Sequence, residues 1–461
     1  MRKWRSLPSL LFGCGSAALL SCCSGYSNLA APVAASPLRA GPMLCDLTAT
    51  SVRIWAEATA PVQYRLQVRV ADEDGIWQDA MEGSARSLLA LNGPGFRGVA
   101  RITGLRPASR YAYRLVDFRG RWLPDVHGQF FQTAPVDGTA KDFTVAFGSC
   151  AGESGLDPSQ PIFAAIDALQ PDLFLWLGDN TYFTAPHREW EQPELMEQRW
   201  SSARAISSLQ PLLAHTPQYA TWDDHDYGSN DSDSTFPLRA ESKRLFEEYW
   251  PNPAAGLSST DGIFFQFTWG RVEFFFLDTR YGRSPNDAVD GPQKVLLSAG
   301  QWQWLEQGLQ NSHADFKVVV SSTQVLSTYH RFETWNMFPQ QRARLLDLIQ
   351  QKKVSGVFFL SGDRHIGEAL RELRPGSYPL VEFTSSPLAA KLGEAQPDAA
   401  VPQRIAHTLA TVENFGMLHF HFPAPGAADF STGPVLSFRL HDVYGHPLGS
   451  QVVLRLSALQ P

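Results

Sequence analysis

Two kinds of hydrophobic pattern divide the chain. From Leu38 to about Pro135, short segments alternate apolar and polar residues: SVRIWAEA (51–58), VQYRLQVRV (62–70), FRGVARITGL (96–105), RYAYRLVDF (110–118) and HGQFFQT (127–133). A period of two belongs to strands with one buried and one open face, and the Gly, Pro and Asp turns between them are spaced as in a β-sandwich. From Lys141 onward the apolar runs are continuous: FTVAFGSC ending at Cys150, DLFLWLGDNTY from Asp172, YATWDDHDYGSND from Tyr219, VEFFFLDTR ending at Arg280 and GVFFLSGDRH ending at His365. A strand that is apolar at every position is buried on both faces, as in the parallel sheets of α/β folds. Each run stops in metal-ligand residue types, and open α/β sheets place their ligands at the carboxyl ends of the strands.

Helical periodicity fills the intervals. Pro161 begins PIFAAIDAL (161–169) where its missing N–H costs nothing. Ser298 and Gln301 form a capping box for GQWQWLEQGLQ (300–310), whose Trp302, Leu305 and Leu309 share a face. Gln340 to Lys352 is a second amphipathic helix with Leu345, Leu348 and Ile349 inward. Further strands are expected at FKVVVSSTQV (316–325) and PLVEFTSSP (379–387), with closing strands at Leu418 to His421 and Val435 to Leu440. The polar-aromatic stretch between Pro186 and Pro217 is expected to be helical and peripheral.

A length of 461 residues implies two or three domains, and 44% hydrophobic with 18% charged residues is an ordinary globular composition. Net charge of −7, without a long Lys/Arg run, argues against a nucleic-acid-binding surface. The first residues are an export signal: Arg2, Lys3 and Arg5 precede an apolar stretch from Leu7 to Leu20. Leu19-Leu20-Ser21-Cys22 resembles a bacterial lipobox, which makes 1–22 a lipoprotein signal peptide, Cys22 the lipidated residue and 23–37 a spacer. A plain secretory cut near Ala30 or Ala35 is the alternative. The expected location is outside the cytoplasm, anchored by lipid and facing the periplasm or cell exterior. Only Cys45 and Cys150 remain in the mature body. They could pair, but they fall in different expected domains (38–136 and 141–461), and Cys150 ends a buried strand among metal-ligand types, which favours a thiolate ligand.

The strand ends carry the chemistry. In Gly178-Asp179-Asn180-Thr181-Tyr182 a glycine permits a tight turn, a carboxylate can bridge two metals and a phenolate suits trivalent iron. Trp222-Asp223-Asp224-His225-Asp226, followed by Asn230, is the densest ligand string; if the strand continues, Asp223 and His225 share a face and Asp224 takes the other. Ser361-Gly362-Asp363-Arg364-His365 supplies an Asp-x-His pair. Arg280, after Asp278, offers a guanidinium suited to phosphate oxygens, with a structural ion pair to Asp278 as the plain alternative.

Together these motifs, in this order, resemble the alkaline phosphatase D family of metallophosphoesterases: Gly148-Ser149-Cys150, Gly178-Asp179 with Tyr182, Trp222-Asp223-Asp224-His225 with Asn230, Leu277-Asp278-Thr279-Arg280 and Ser361-Gly362-Asp363-x-His365. The resemblance implies a four-layer αββα catalytic domain (141–461) behind a small fibronectin III-like β-sandwich (38–136). It implies Fe3+ and Ca2+, with Cys150, Asp179, Tyr182 and Asp363 or His365 on the iron side. Asp223, Asn230 and the bridging Asp179 fall on the calcium side. It further implies hydrolysis of phosphoric esters, mono- or diester, by metal-activated hydroxide in line with the leaving group; Arg280 and His225 are the candidate catalytic groups, to stabilise the developing charge or protonate the leaving oxygen. The expected partners are a phosphate-ester small molecule or lipid head group, and the membrane through the N-terminal anchor. A phospholipase D-like or phosphotriester hydrolase on the same site, and a non-catalytic lipid-anchored binding protein, are the alternatives. Two departures stand out: Arg2-Lys3-Trp4-Arg5 lacks the adjacent Arg pair of a twin-arginine signal, and the catalytic portion is shorter than in many members.

Overall fold

The computed structural model describes residues 37–461 apart from 72–74, 124–128, 153–158, 255, 257–261, 330, 395–396, 398–399, 425 and 428–431. The expected export signal and Cys22 lie outside the described residues. No described helix is long and apolar enough to cross a membrane.

The alternating region forms β1 (Leu38–Cys45), β2 (Ser51–Ala58), β3 (Val62–Val70), the two-residue strands β4 (Gln78–Asp79), β5 (Met81–Glu82) and β6 (Ala85–Arg86), then β7 (Leu88–Leu91), β8 (Arg97–Thr103), β9 (Arg110–Val116) and β10 (Phe130–Gln132). β10, β9, β3 and β4 lie side by side, with β7 also on β3; β1, β2 and β8 form the second layer. Val52 and Ile54 of one layer and Tyr64 and Leu66 of the other share one core. At the corner between β8 and β9, the Arg106 N–H donates to the Tyr111 hydroxyl at 2.9 Å, tying the turn to the strand five residues on. β1 also pairs in parallel with β13 (Gln218–Thr221) through Cys45 and Gln218, which extends the catalytic sheet into the N-terminal region.

The continuous apolar runs sit in two larger sheets. One contains β11 (Phe143–Gly148), β12 (Leu173–Leu177) and β13 in parallel, flanked by β20 (Asn414–His421), β21 (Val435–Asp442) and β22 (Pro447–Arg455) on the side away from β1. The other runs β14 (Phe265–Trp269), β15 (Val272–Phe276), β16 (Phe316–Val320), β17 (Val357–Ser361), β19 (Leu380–Thr384) and β18 (Glu368–Glu372). In β12, Leu173, Leu175 and Leu177 point into the core between the sheets. Phe174 and Trp176 point to the outer helices, so alternation survives inside an unbroken apolar run. Aromatic contacts bind the two sheets: Phe383 stacks on Phe438 at 4.1 Å and Tyr219 on Phe267 at 4.0 Å.

Helices α1 (Ile162–Ala168), α2 (Pro193–Arg204), α3 (Gln210–His215), α4 (Asp224–Tyr227) and α5 (Arg239–Tyr249) occur within or beside the first half. α6 (Ala299–Asn311) and α7 (Pro339–Gln351) belong to the second half. Ser298 caps α6 by accepting the Gln301 N–H. The reciprocal half of the capping box is absent, because the Gln301 amide instead accepts from Asp278 N and donates to Asp278 O. The segment 186–217 is helical but not peripheral. Met196, Trp200 and Arg204 of α2 are fully buried, and the Arg204 guanidinium lies 3.7 Å over the Trp250 ring.

Candidate metal centre

The parallel registers bring the strand ends level. Gly148 of β11 lies beside Trp176, Leu177 of β12 beside Thr221, and Ser361 of β17 beside Thr384. The edges of the two sheets are then joined: Ser149 Oγ donates to Ser385 O at 3.0 Å and accepts from Asp363 N at 3.2 Å, and Thr221 Oγ1 donates to Leu277 O at 2.7 Å. Two glycines allow this approach. A Cβ on Gly362 would fall 2.3 Å from Ser149 Oγ, and one on Gly178, already at φ +103°, would fall 2.7 Å from the Asp223 Cβ. Cys150, Asp179, Asp363 and His365 all adopt positive φ, between 51° and 63°, in which non-glycine residues are uncommon and cluster at functional sites.

The donors form overlapping groups. Cys150, Asp179 and His365 place ligand atoms within 4.8 Å of one another, as do Asp179, Asp224 and His225, and then Asp224, Asp231 and Glu333. Asp179 is common to the first two. Cys150 Sγ lies 3.6 Å from Asp179 Oδ2. The Tyr182 hydroxyl meets His365 Nε2 at 3.1 Å, and the Tyr182 ring stacks on His225 at 4.5 Å. His365 Nδ1 faces the Lys391 carbonyl, which fixes the proton there and leaves Nε2 as an acceptor, the arrangement of a metal-ligating histidine. Burial, then the charges of Asp224 and Asp223, push the Asp179 carboxyl well above its ordinary range. Burial and Asp223 do the same to Asp363, while burial with Asp179 raises the Cys150 thiol and the Tyr182 phenol.

Four ionisable ligand groups held away from water and toward their protonated forms match what a multivalent cation neutralises. Buried oxygens without hydrogen-bond partners ring the same place: Asn180 Oδ1, Asp223 Oδ2 and Asp224 Oδ1. Thiol, phenol, carboxylate and imidazole donors at Cys150–Asp179–Tyr182–His365, and carboxylate and imidazole donors at Asp179–Asp224–His225, are ligand types that hold metal ions.

The ligand string departs from the expected strand. β13 stops at Thr221 and the chain enters α4, a single turn, with the Asp223 N–H donating to Asp226 Oδ1 at 2.6 Å. Asp224 and His225 therefore both reach the cavity, and Asp223 turns below it. Asp226 also accepts from Asn180 N at 3.0 Å and Nδ2 at 2.7 Å, which ties the Asp179 turn to α4.

Arg280 is fully buried. Its guanidinium bonds Asp223 Oδ1 at 2.5 Å, Ser232 O and Glu333, while Asp278 instead accepts backbone N–H groups of Arg280, Tyr281 and Ile263. Neither of the sequence-based readings for Arg280 describes this network. A cavity of about 450 Å³ opens on Asp179, Asp224, His225, Asn230, Asp363 and His365. Arg364 also lines it, 8% exposed, with its guanidinium 4.2 Å over the Phe332 ring. Among the described residues no carboxylate lies within ion-pair distance of Arg364. Glu333 went unmarked in the sequence because it sits in a loop without periodicity; Asp231 ends the ligand string and Arg364 lies inside the Ser361–His365 motif, but neither was given a role. Asp226, three residues after Asp223, was readable as a capping signal. Cys45 and Cys150 are both free thiols.

Residues 145–430 match the family model of the PhoD-like phosphatases. Alkaline phosphatase D of Bacillus subtilis (strain 168) is 27% identical over 309 residues, 57% of this chain and 52% of that protein, so the match spans about half of the relative's length. Among solved structures, that of PhoD superposes with a TM-score of 0.75 at 19% identity, covering 94% of this chain and 93% of the other. A purple acid phosphatase, PPD1 from yellow lupin seeds, gives 0.62 at 14% identity over 90% of this chain and 74% of its own. These two likenesses establish the metallophosphoesterase-like fold.

Proposed function

Because the chain belongs to the PhoD-like phosphatase family, we propose that it is an exported, metal-dependent phosphoric ester hydrolase. The observation that carries this is the sharing of Asp179 between a sulfur-containing and an all-N,O donor group. Fe3+ held by Cys150, Asp179, Tyr182 and His365, with Ca2+ held by Asp179, Asp224 and Asn230, would supply Lewis acidity and a nucleophile near neutral or alkaline pH. In the net reaction water adds its oxygen to phosphorus, the ester P–O bond breaks, and the alcohol leaves with a proton.

The chain's own groups divide the remaining work. Arg364, unpaired beside the donors, takes non-bridging phosphate oxygens in the role the sequence suggested for Arg280. Arg280 is a positioning residue: it holds Asp223 below the cavity and Glu333 at its wall. His225, stacked on Tyr182 at the cavity wall, is placed to protonate the leaving oxygen. Asp363 stays near the cluster as a further acceptor. We assign 38–136 an accessory role and 141–461 the chemistry, and we keep Cys22 as the lipid attachment point.

The test is hydrolysis of an aryl phosphate monoester and diester by a soluble form starting at Ser24, with and without chelator. Turnover that chelation abolishes supports the reading, and the preferred ester sets the subclass. Absence of turnover together with absence of bound metal favours a binding protein. Labelled fatty acid incorporated into the full chain but not into Cys22→Ser supports the anchor.

A further inference from the structure

The metal cavity opens beside a second chamber. A cavity of about 470 Å³ shares His225 and Asn230 with it. The two differ in chemistry. Among the described residues carboxylates line the first and none lines the second, whose walls are the rings of Tyr182, Phe183 and Trp190 with Ala203 and Ile206. The charged Arg199 there is bonded twice to Glu189, at 3.1 and 2.8 Å. A phosphoryl group carrying negative charge belongs with the metals and Arg364. A substituent that continues past His225 meets an aromatic-walled space in which Arg199 is already ion-paired.

One polar atom in that space lacks a partner. Gln160 is 2% exposed and lines the chamber; its Nε2 donates to Gly152 O at 3.1 Å. That bond fixes the amide orientation, because the flipped amide would set two carbonyl oxygens together. Gln160 Oε1 is then a buried acceptor with no donor, which a ligand N–H or O–H would satisfy.

We infer that this chamber is the leaving-group subsite and that it takes an aromatic ring bearing a hydrogen-bond donor. The ring packs among Tyr182, Phe183 and Trp190, and its donor reaches Gln160 Oε1. The inference rests on the hydrolase reading above and names the class of ester. A fatty acyl chain could use the apolar wall but gains nothing from Gln160.

The experiment compares kcat/KM of the metal-loaded protein on methyl phosphate, phenyl phosphate, 3-aminophenyl phosphate and a short-chain phosphatidic acid. Phenol and 3-aminophenol are similar as leaving groups, so their ratio reports the donor contact. Wild-type protein should prefer 3-aminophenyl over phenyl phosphate by about tenfold, and Gln160→Leu should erase that ratio. Ala203→Trp, which fills the chamber from the α2 side, should lower kcat/KM on the phenyl esters about tenfold more than on methyl phosphate. Trp190→Ala should act in the same direction, which guards against a folding defect in the bulkier variant. Equal losses on ring-bearing and methyl esters, or no loss on either, overturn the subsite while leaving the hydrolase reading intact. Selective loss on the phosphatidic ester overturns the ring in favour of an acyl chain. No turnover of any ester by metal-loaded wild type overturns both readings.

Discussion

Two edges built from similar β-structure treat their carboxylates in opposite ways. At the N-terminal turn after β9, Asp117 accepts the N–H groups of Arg119 and Arg121 at 2.9 Å each and the Arg121 side chain. Although burial pushes it up, those bonds hold its carboxyl below the ordinary value. Such a group stabilises a turn, and its lone pairs are filled from within a few residues. At the carboxyl edge of the central sheets, Asp179 and Asp363 are raised, Asp223 and Asp224 each keep an oxygen without a partner, and the backbone is left-handed at Cys150, Asp179, Asp363 and His365. Asp223 and Asp224 accept the N–H groups of Asp226 and Asp231, but their other oxygens have no hydrogen-bond donor. The difference marks which carboxylates serve the fold and which await a cation.

Breaking the second edge should have the largest effect. Asp179→Asn removes the oxygen common to two donor groups and should lower kcat/KM by about 10⁴-fold, or about 5.5 kcal/mol, with both metals lost on elemental analysis. Arg280→Ala leaves Asp223 buried without its cation, while Glu333 keeps Arg283, and should cost about 3–5 kcal/mol of stability by denaturant unfolding. Arg364→Ala separates the two arginines: it should lower kcat/KM by about 10²-fold with little change in unfolding midpoint. Chelation should lower the thermal midpoint of the wild type, since calcium at 100 times its Kd stabilises by about 2.7 kcal/mol, and it should leave that of Asp179→Asn almost unmoved. Tyr111→Phe, which removes only the corner bond of the first region, should cost about 1 kcal/mol with no effect on turnover.

The comparison also explains what was legible in the sequence. Strands with a strict pattern and abrupt polar ends declared both themselves and their terminal ligands, so Cys150, Asp179, Tyr182 and His365 were readable where they stand. The partners that complete the site come from far along the chain. Arg280 meets Glu333 across 53 residues, and the loop around Glu333 has no period to betray it; Arg364 stood inside a readable strand end, but its neighbours Asp363 and His365 drew the reading. The ligand string misled in one respect: extending β13 predicted that Asp223 and His225 would share a face. The helical turn begun at Asp224, tied by Asp226 to Asp223 N, brought Asp224 and His225 to the cavity together. The β1–β13 pairing was likewise invisible, because β1 carries Gly41-Pro42 in place of a clean alternation.

The most direct test of the metal centre is elemental analysis of the purified soluble form and of Asp179→Asn, run beside aryl phosphate turnover on the same samples. The account predicts iron and calcium in the wild type, neither at comparable level in the variant, and activity that follows metal content. Full turnover by metal-free protein, or by Asp179→Asn, would contradict it.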